Sequence, residues 1–166
     1  LARNCHISDT ARAARFCRQA EQARYFCKDI HYPDVPLHTP TFDTTLLSAH
    51  IRPGHVMLID CWASWCGPCR AAIPAVKALY DKYDRDRFDV ISISLDSKKE
   101  DWQKALEEEK MPWPQFIAGN RGYEQLTLRY NINSIPNLIL IDDKGQVVCN
   151  TFSPEEISIE LEEILR

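Results

Sequence analysis

The chain has 166 residues, of which 45% are hydrophobic and 27% charged, with ten prolines, five glycines and a formal net charge of −4. That length fits one domain of ordinary size with a short appendage, and it suffices to bury most of the apolar surface without staples. So mild a charge gives no case for nucleic acid, and no apolar run approaches the roughly 20 residues that a membrane-spanning helix needs.

The charge is uneven. Residues 1–30 carry +3 and the remainder −7, so the first segment is either solvated or docks on the acidic body or on a partner. The sequence opens on Leu1, with no charged stretch followed by an apolar one, and a mature form or a portion of something longer is expected. Residues 8–29 read as a helix capped by Ser8 or Asp9, with Phe16, Ala20, Ala23 and Cys27 on one face. On such a helix Cys17 and Cys27 stand about 15 Å apart and cannot pair with each other. Cys5 can fold back to either, or all three are thiols packed as small hydrophobes. Pro33, Pro36 and Pro40 mark an extended linker over 33–40, and the domain boundary is set there, with 1–31 a helical extension and 32–166 the main domain.

Strands and helices then alternate. Val56–Trp62 is apolar except for Asp60, as a strand buried on both faces reads. Residues 68–83 form a helix with Pro68 at its start and Pro74 inside. Residues 88–95 alternate as a second strand. A charged amphipathic helix spans 99–110 with Trp102, Ala105 and Leu106 inward, followed by an extended piece over 113–117 and a helix near 123–130. Asn137–Ile141 is a third clear strand, and Asp142, Asp143, Lys144 and Gly145 turn the chain into a strand over 146–150. Ser153, Pro154 and Glu156 open the last helix with a capping box. This order argues an α/β sheet with helices on both faces.

Seven cysteines are present, an odd number, and only Cys66 and Cys69 have a spacing that carries chemistry by itself. Two cysteines at the start of a helix form a readily reversed disulfide, because free N–H groups and a partial positive charge stabilise a thiolate there. Cys66 is expected to be the exposed nucleophile, with a pKa of about 7 or lower, and Cys69, one turn in, the buried resolving thiol. Structural zinc needs four ligands, and no second pair or histidine cluster supplies them. A carboxylate inside an apolar strand is costly unless neutral, paired or useful. Asp60, with a raised pKa, either takes the proton of Cys69 or sits hydrated at a strand end. Pro136, just before an apolar strand, is a candidate for a cis peptide bond, where the backbone of Ile135 would hydrogen-bond an extended substrate segment. An ordinary trans proline opening a strand is the alternative.

The stretch from Leu58 through Asp60, Trp65, Cys66, Gly67, Pro68 and Cys69 to Arg70 resembles the active site of thioredoxins. Tyr130 through Leu140, with Pro136, resembles their cis-proline strand, and Pro74 their kink proline. The similarity covers roughly residues 37–166. It implies a thioredoxin-like fold, a mixed central sheet flanked by helices. It also implies Asp60 as buried acid, Cys66 as nucleophile, Cys69 as resolving thiol, and a substrate surface of Trp65, Gly67, Pro68, Ile135 and Pro136. The interval between Asp96 and Pro136 carries an additional helix with Trp102 and the 113–117 piece. That insertion resembles the TlpA/ResA-like reductases of the bacterial envelope. Ala72 stands where many ResA-type proteins have a glutamate, which argues against a specialised role in cytochrome c maturation.

The expected function is a thiol-disulfide oxidoreductase that reduces disulfides in other proteins. It would be fed by an upstream dithiol donor, with the redox-active disulfide in place of any cofactor or metal. Gly67 and Pro68 match reducing thioredoxins, so the resemblance implies a potential nearer about −270 mV than about −120 mV. The alternatives are an oxidase or isomerase of the same fold, a peroxiredoxin-like peroxidase, for which Arg129 is the only, distant arginine candidate, and a non-catalytic binding module. The periplasm or cell envelope is the expected location, and the cytoplasm the alternative.

Overall fold

A strand can be apolar throughout only if both of its faces are covered, and Val56–Trp62 (β3) is buried at every position. A computed structural model describes residues 32–166. The expected helix over 8–29, with Cys5, Cys17 and Cys27, lies outside the described residues. β3 is the middle of the sheet's core. It pairs in parallel with Phe88–Ser94 (β4), from Val56 opposite Phe88 to Trp62 opposite Ser94. Its other edge pairs antiparallel with Asn137–Ile141 (β6). β6 pairs in turn with Val147–Thr151 (β7). Beyond β4 lies Gln115–Ile117 (β5), parallel to it. Pro36–His38 (β1) and Thr44–Leu46 (β2) complete a seven-stranded mixed sheet in the order β2-β1-β5-β4-β3-β6-β7.

Four helices cover this sheet, and period-2 alternation along β3 decides what each meets. Val56, Leu58 and Trp62 share one cluster with Cys69, Ile73 and Val76 of Gly67–Lys82 (α1), Trp102 of Lys99–Glu109 (α2) and Ile157 of Pro154–Ile164 (α4). Met57, Ile59 and Cys61 face the other way, onto Leu126 and Tyr130 of Gly119–Tyr130 (α3). Helices therefore lie on both faces, as the alternation of elements predicts.

Three local expectations change. The proline-rich stretch over 33–40 is not a linker throughout: Pro36–His38 pairs with β2 on one side, and His38 opposite Ile117 ties it to β5 on the other. The 88–95 strand alternates in chemistry but not in burial. Ser92 and Ser94 are fully buried, their hydroxyls satisfied by carboxylates. At α4 the cap is a relay rather than a closed box. Ser153 Oγ accepts from the Glu156 N–H, while the Glu156 carboxylate takes Thr151 Oγ1, which itself accepts from the Ser153 N–H.

The insertion is tied into the body by rings. Phe42, between β1 and β2, meets Trp102 edge-on with centroids 6.1 Å apart, and Lys99 Nζ sits over the Phe42 ring at 3.2 Å. On the opposite face α3 approaches β1 so closely that a Cβ at Gly122 would lie 2.6 Å from the Pro36 carbonyl oxygen. Gly122→Ala must push α3 off β1, and a loss of about 1–3 kcal/mol is expected in urea unfolding. An unchanged midpoint would show that the helix and strand are not in that contact.

Candidate active site

The chain leaves β3 at Trp62 and enters α1 at Gly67, and the turn between them holds the dithiol. Two anchors fix it. The Leu95 N–H donates to the Trp62 carbonyl. The buried Asp96 carboxylate accepts from the Ser64 N–H at 2.8 Å, from Ser64 Oγ at 2.6 Å and from Ser94 Oγ at 2.6 Å. Three donors on one carboxylate offset its burial and hold the turn rigid.

Cys66 and Cys69 are joined as a disulfide. Cys66 caps α1, its sulfur accepting the Cys69 N–H at 3.2 Å, and Pro68 sits in the first turn. A sulfur bearing negative charge at this position would keep that N–H and the positive end of the helix dipole. Cys66 is 5% exposed and Cys69 2%. Both cysteines are therefore buried, and Cys66 is nearly covered rather than exposed. The accessible surface belongs to its neighbours: Trp65 is 69% exposed, and Gly67 and Pro68 are exposed beside it.

Ile135 and Pro136 are half-buried and joined by a cis peptide bond. Ile135 and Trp65 line one cleft of about 510 Å³, whose wall also includes Asp96, Tyr123 and Asn133. Just beyond the second cysteine, Arg70 bridges α1 to α2 through both Glu108 and Glu109. Arg129, on which a peroxidatic reading would rely, is exposed on α3 and bonded to Gln125. Cys61 and Cys149 are free thiols. Burial pushes Cys61 well up and Cys149 up to about 12, so neither forms a thiolate readily. Among the described residues no group of three or more His, Cys, Asp or Glu is placed to hold a metal ion.

Asp60 is buried, and its place in β3 turns it to the face that α1 covers. Burial pushes its carboxyl up to about 6, against the opposing effect of a hydrogen bond donated by Ser92 Oγ at 2.8 Å. Ser92 Oγ also accepts from Trp113 Nε1 at 2.8 Å. Neither residue stands out in the sequence, 32 and 21 positions being the separations within these two pairs. The readable signal is chemical: a buried indole needs an acceptor, and a serine in an apolar strand needs a partner.

The raised carboxyl links stability to pH. Below about pH 4 the folded and unfolded chains both hold this proton. Between about pH 4 and 6 only the folded chain holds it, so stability falls as pH rises through that window. In the oxidised protein, Asp60→Asn should gain about 3 kcal/mol relative to wild type between pH 4 and pH 7 in urea unfolding. Parallel pH curves for the two proteins would mean that Asp60 ionises as an ordinary carboxylate.

Comparison with known proteins agrees with this geometry. A thioredoxin-like family model matches residues 54–147. Thiol-disulfide oxidoreductase ResA of Geobacillus kaustophilus is 26% identical over 133 residues, covering 75% of each chain. Nucleoredoxin of Xenopus laevis is 33% identical over 128 residues, which is 74% of this chain but 29% of that protein. Among solved structures, a thiol-disulfide oxidoreductase from Bacteroides fragilis superposes with a TM-score of 0.72 at 25% identity, covering 81% of this chain and 98% of that one. The family match takes in more than half of the sequence, including both cysteines and Asp60, so the chain belongs to the thioredoxin-like family, among its thiol-disulfide oxidoreductases.

Proposed function

We propose that this oxidoreductase works as a reductant of disulfides in other proteins, with Cys66 as nucleophile, Cys69 as resolving thiol and Asp60 as the base that serves Cys69. The observation that carries the reading is the sulfur of Cys66 capping α1, with the Cys69 N–H aimed at it. In the reduced protein the Cys66 thiolate attacks one sulfur of the substrate disulfide. A mixed disulfide forms, and the other substrate sulfur leaves as a thiolate that takes up a proton. Cys69 then gives its proton to the Asp60 carboxylate and attacks the Cys66 sulfur. The bond from Cys66 to the substrate breaks, and its electron pair leaves with the second substrate thiolate. Two electrons pass to the substrate, and the Cys66–Cys69 disulfide is what remains. The disulfide carries the electrons, so the reaction calls on no further cofactor, and an upstream dithiol donor restores the reduced form.

An extended substrate segment would lie across Trp65, Gly67, Pro68, Ile135 and Pro136, with the backbone of Ile135 offering strand-like hydrogen bonds and the cleft taking a side chain. A half-buried Ile135 next to an exposed Trp65 gives that surface an apolar character. Placement in a periplasm or cell envelope follows the resemblance to the envelope reductases and the number of cysteines. The cytoplasm is the alternative, and fractionation of the source cells separates the two. No helix among the described residues is long and apolar enough to cross a membrane.

Cys69→Ser leaves the mixed disulfide without its resolving thiol. Expressed in the source cells, this variant should carry substrate proteins in complexes that survive denaturing electrophoresis and disappear on reduction, while Cys66→Ser should carry none. Equal capture by both variants, or by neither, would count against the assigned roles.

A further inference from the structure

Among the described residues the buried acid of this site has no charged partner in contact with it. Among the same residues its carboxyl takes one side-chain hydrogen bond, from Ser92 Oγ, and behind that hydroxyl stands an indole from outside the sheet. Both residues belong to the same face. Ser92 follows Phe88 and Val90 at period 2 along β4, and Trp113 packs in the cluster that contains Cys66 and Cys69. Trp113 is delivered by the inserted helix α2 and is held by the Tyr80 ring of α1, with centroids 5.3 Å apart. The Met111 sulfur lies 3.9 Å from the same serine oxygen.

The direction of these bonds is fixed by chemistry. An indole N–H can only donate, so it occupies a lone pair of Ser92 Oγ and leaves the hydroxyl hydrogen for another acceptor. With the carboxylate ionised, that acceptor is Asp60 at 2.8 Å. With the carboxyl neutral, Oδ2 can accept only as a carboxylic acid oxygen, a weaker acceptor than a carboxylate, so the same hydrogen bond is worth less. Donation from Trp113 makes Ser92 a better donor and a poorer acceptor, so the pair favours the ionised acid.

We propose that Ser92 and Trp113 are positioning residues for the resolving half of the exchange: the Trp113 indole turns the Ser92 hydroxyl onto Asp60 and so sets the pH at which Asp60 takes the proton of Cys69. This rests on the reductase reading above. Of the other ionisable groups on the elements packed over this face, Glu156 of α4 accepts from Thr151 Oγ1, Glu162 accepts from Lys82 Nζ, and Glu160 acts on the Cys149 thiol of β7. Arg70 is held by Glu108 and Glu109, and Lys77 donates to the Glu109 carbonyl. Cys61, next in the chain, faces the opposite cluster. β6 brings only Asn137, Leu138, Ile139, Leu140 and Ile141.

The test separates the two cysteines in time. Reduced protein is mixed with limiting 5,5′-dithiobis(2-nitrobenzoate) between pH 5 and 9, with Cys66→Ser giving the contribution of the other thiols. Attack by Cys66 releases the first thiolate dye, and attack by Cys69 on the mixed disulfide releases the second. Ser92→Ala should leave the first phase alone and move the acid limb of the second upward by about one pH unit, a slowing of about tenfold on that limb that vanishes near pH 9. Trp113→Phe keeps the ring against Tyr80 and should shift the limb the same way by a smaller amount. Ser92→Thr restores the hydroxyl and should bring the wild-type profile back. A wild-type second phase in Trp113→Phe, or in a folded Ser92→Ala, overturns the proposal. Loss of the first phase in the wild-type protein would overturn the reductase reading instead.

Discussion

The strand β3 is hydrogen-bonded along both edges and covered on both faces, so its seven residues have no freedom to move independently of the sheet. The chemistry of the molecule hangs from that constraint. One end of the strand opens into the turn that carries the dithiol, and its fifth residue is a carboxylate. A carboxyl group carried on this strand is shielded from water by the helices packed over that face. Its raised pKa therefore follows from where the strand runs, not from any special neighbour.

The site then needs rigidity on the other side of the strand end. Asp96 supplies it by taking three hydrogen bonds from Ser64 and Ser94, so that the dithiol turn is braced against the parallel strand β4. β4 thus does two things with two serines. Ser94 braces the turn through Asp96, and Ser92 addresses Asp60. Both hydroxyls are fully buried, and each is satisfied by a carboxylate. The helix α1 adds the electrostatic part, with the Cys66 sulfur at its positive end and the Cys69 N–H turned to it.

What could be read from the sequence was local. The apolar run of β3, Pro68 at the start of α1 and the Ser153 cap each carry their structure within a few residues and are legible there. The proline before β6, by contrast, leaves cis and trans open, and the partner of Glu156 is not a local matter. β1 and β2 escaped the sequence reading because three-residue strands leave no period to detect, and Pro36 beside Pro33 reads as a break. They exist because they pair with each other and with β5, which is a tertiary fact. The dithiol and Asp60 were legible for the same local reason. Ser92, Trp113, Asp96 and Ser64 were not, since their meaning lies in partners 21 to 32 positions away. The near-complete cover over Cys66 was also hidden, because burial of a loop residue depends on what packs beside it.

A helix-capping cysteine pair with Gly67 and Pro68 between its members is expected to hold electrons at a low potential and give them away. Equilibration of the Cys66–Cys69 pair in glutathione or dithiothreitol buffers, read by the fluorescence of Trp62 and Trp65, measures this directly. A midpoint near or below about −250 mV is the result expected of a reductant fed from elsewhere. A midpoint above about −200 mV would place the same fold at work as an oxidant or isomerase, and would contradict the direction of electron flow assigned to it.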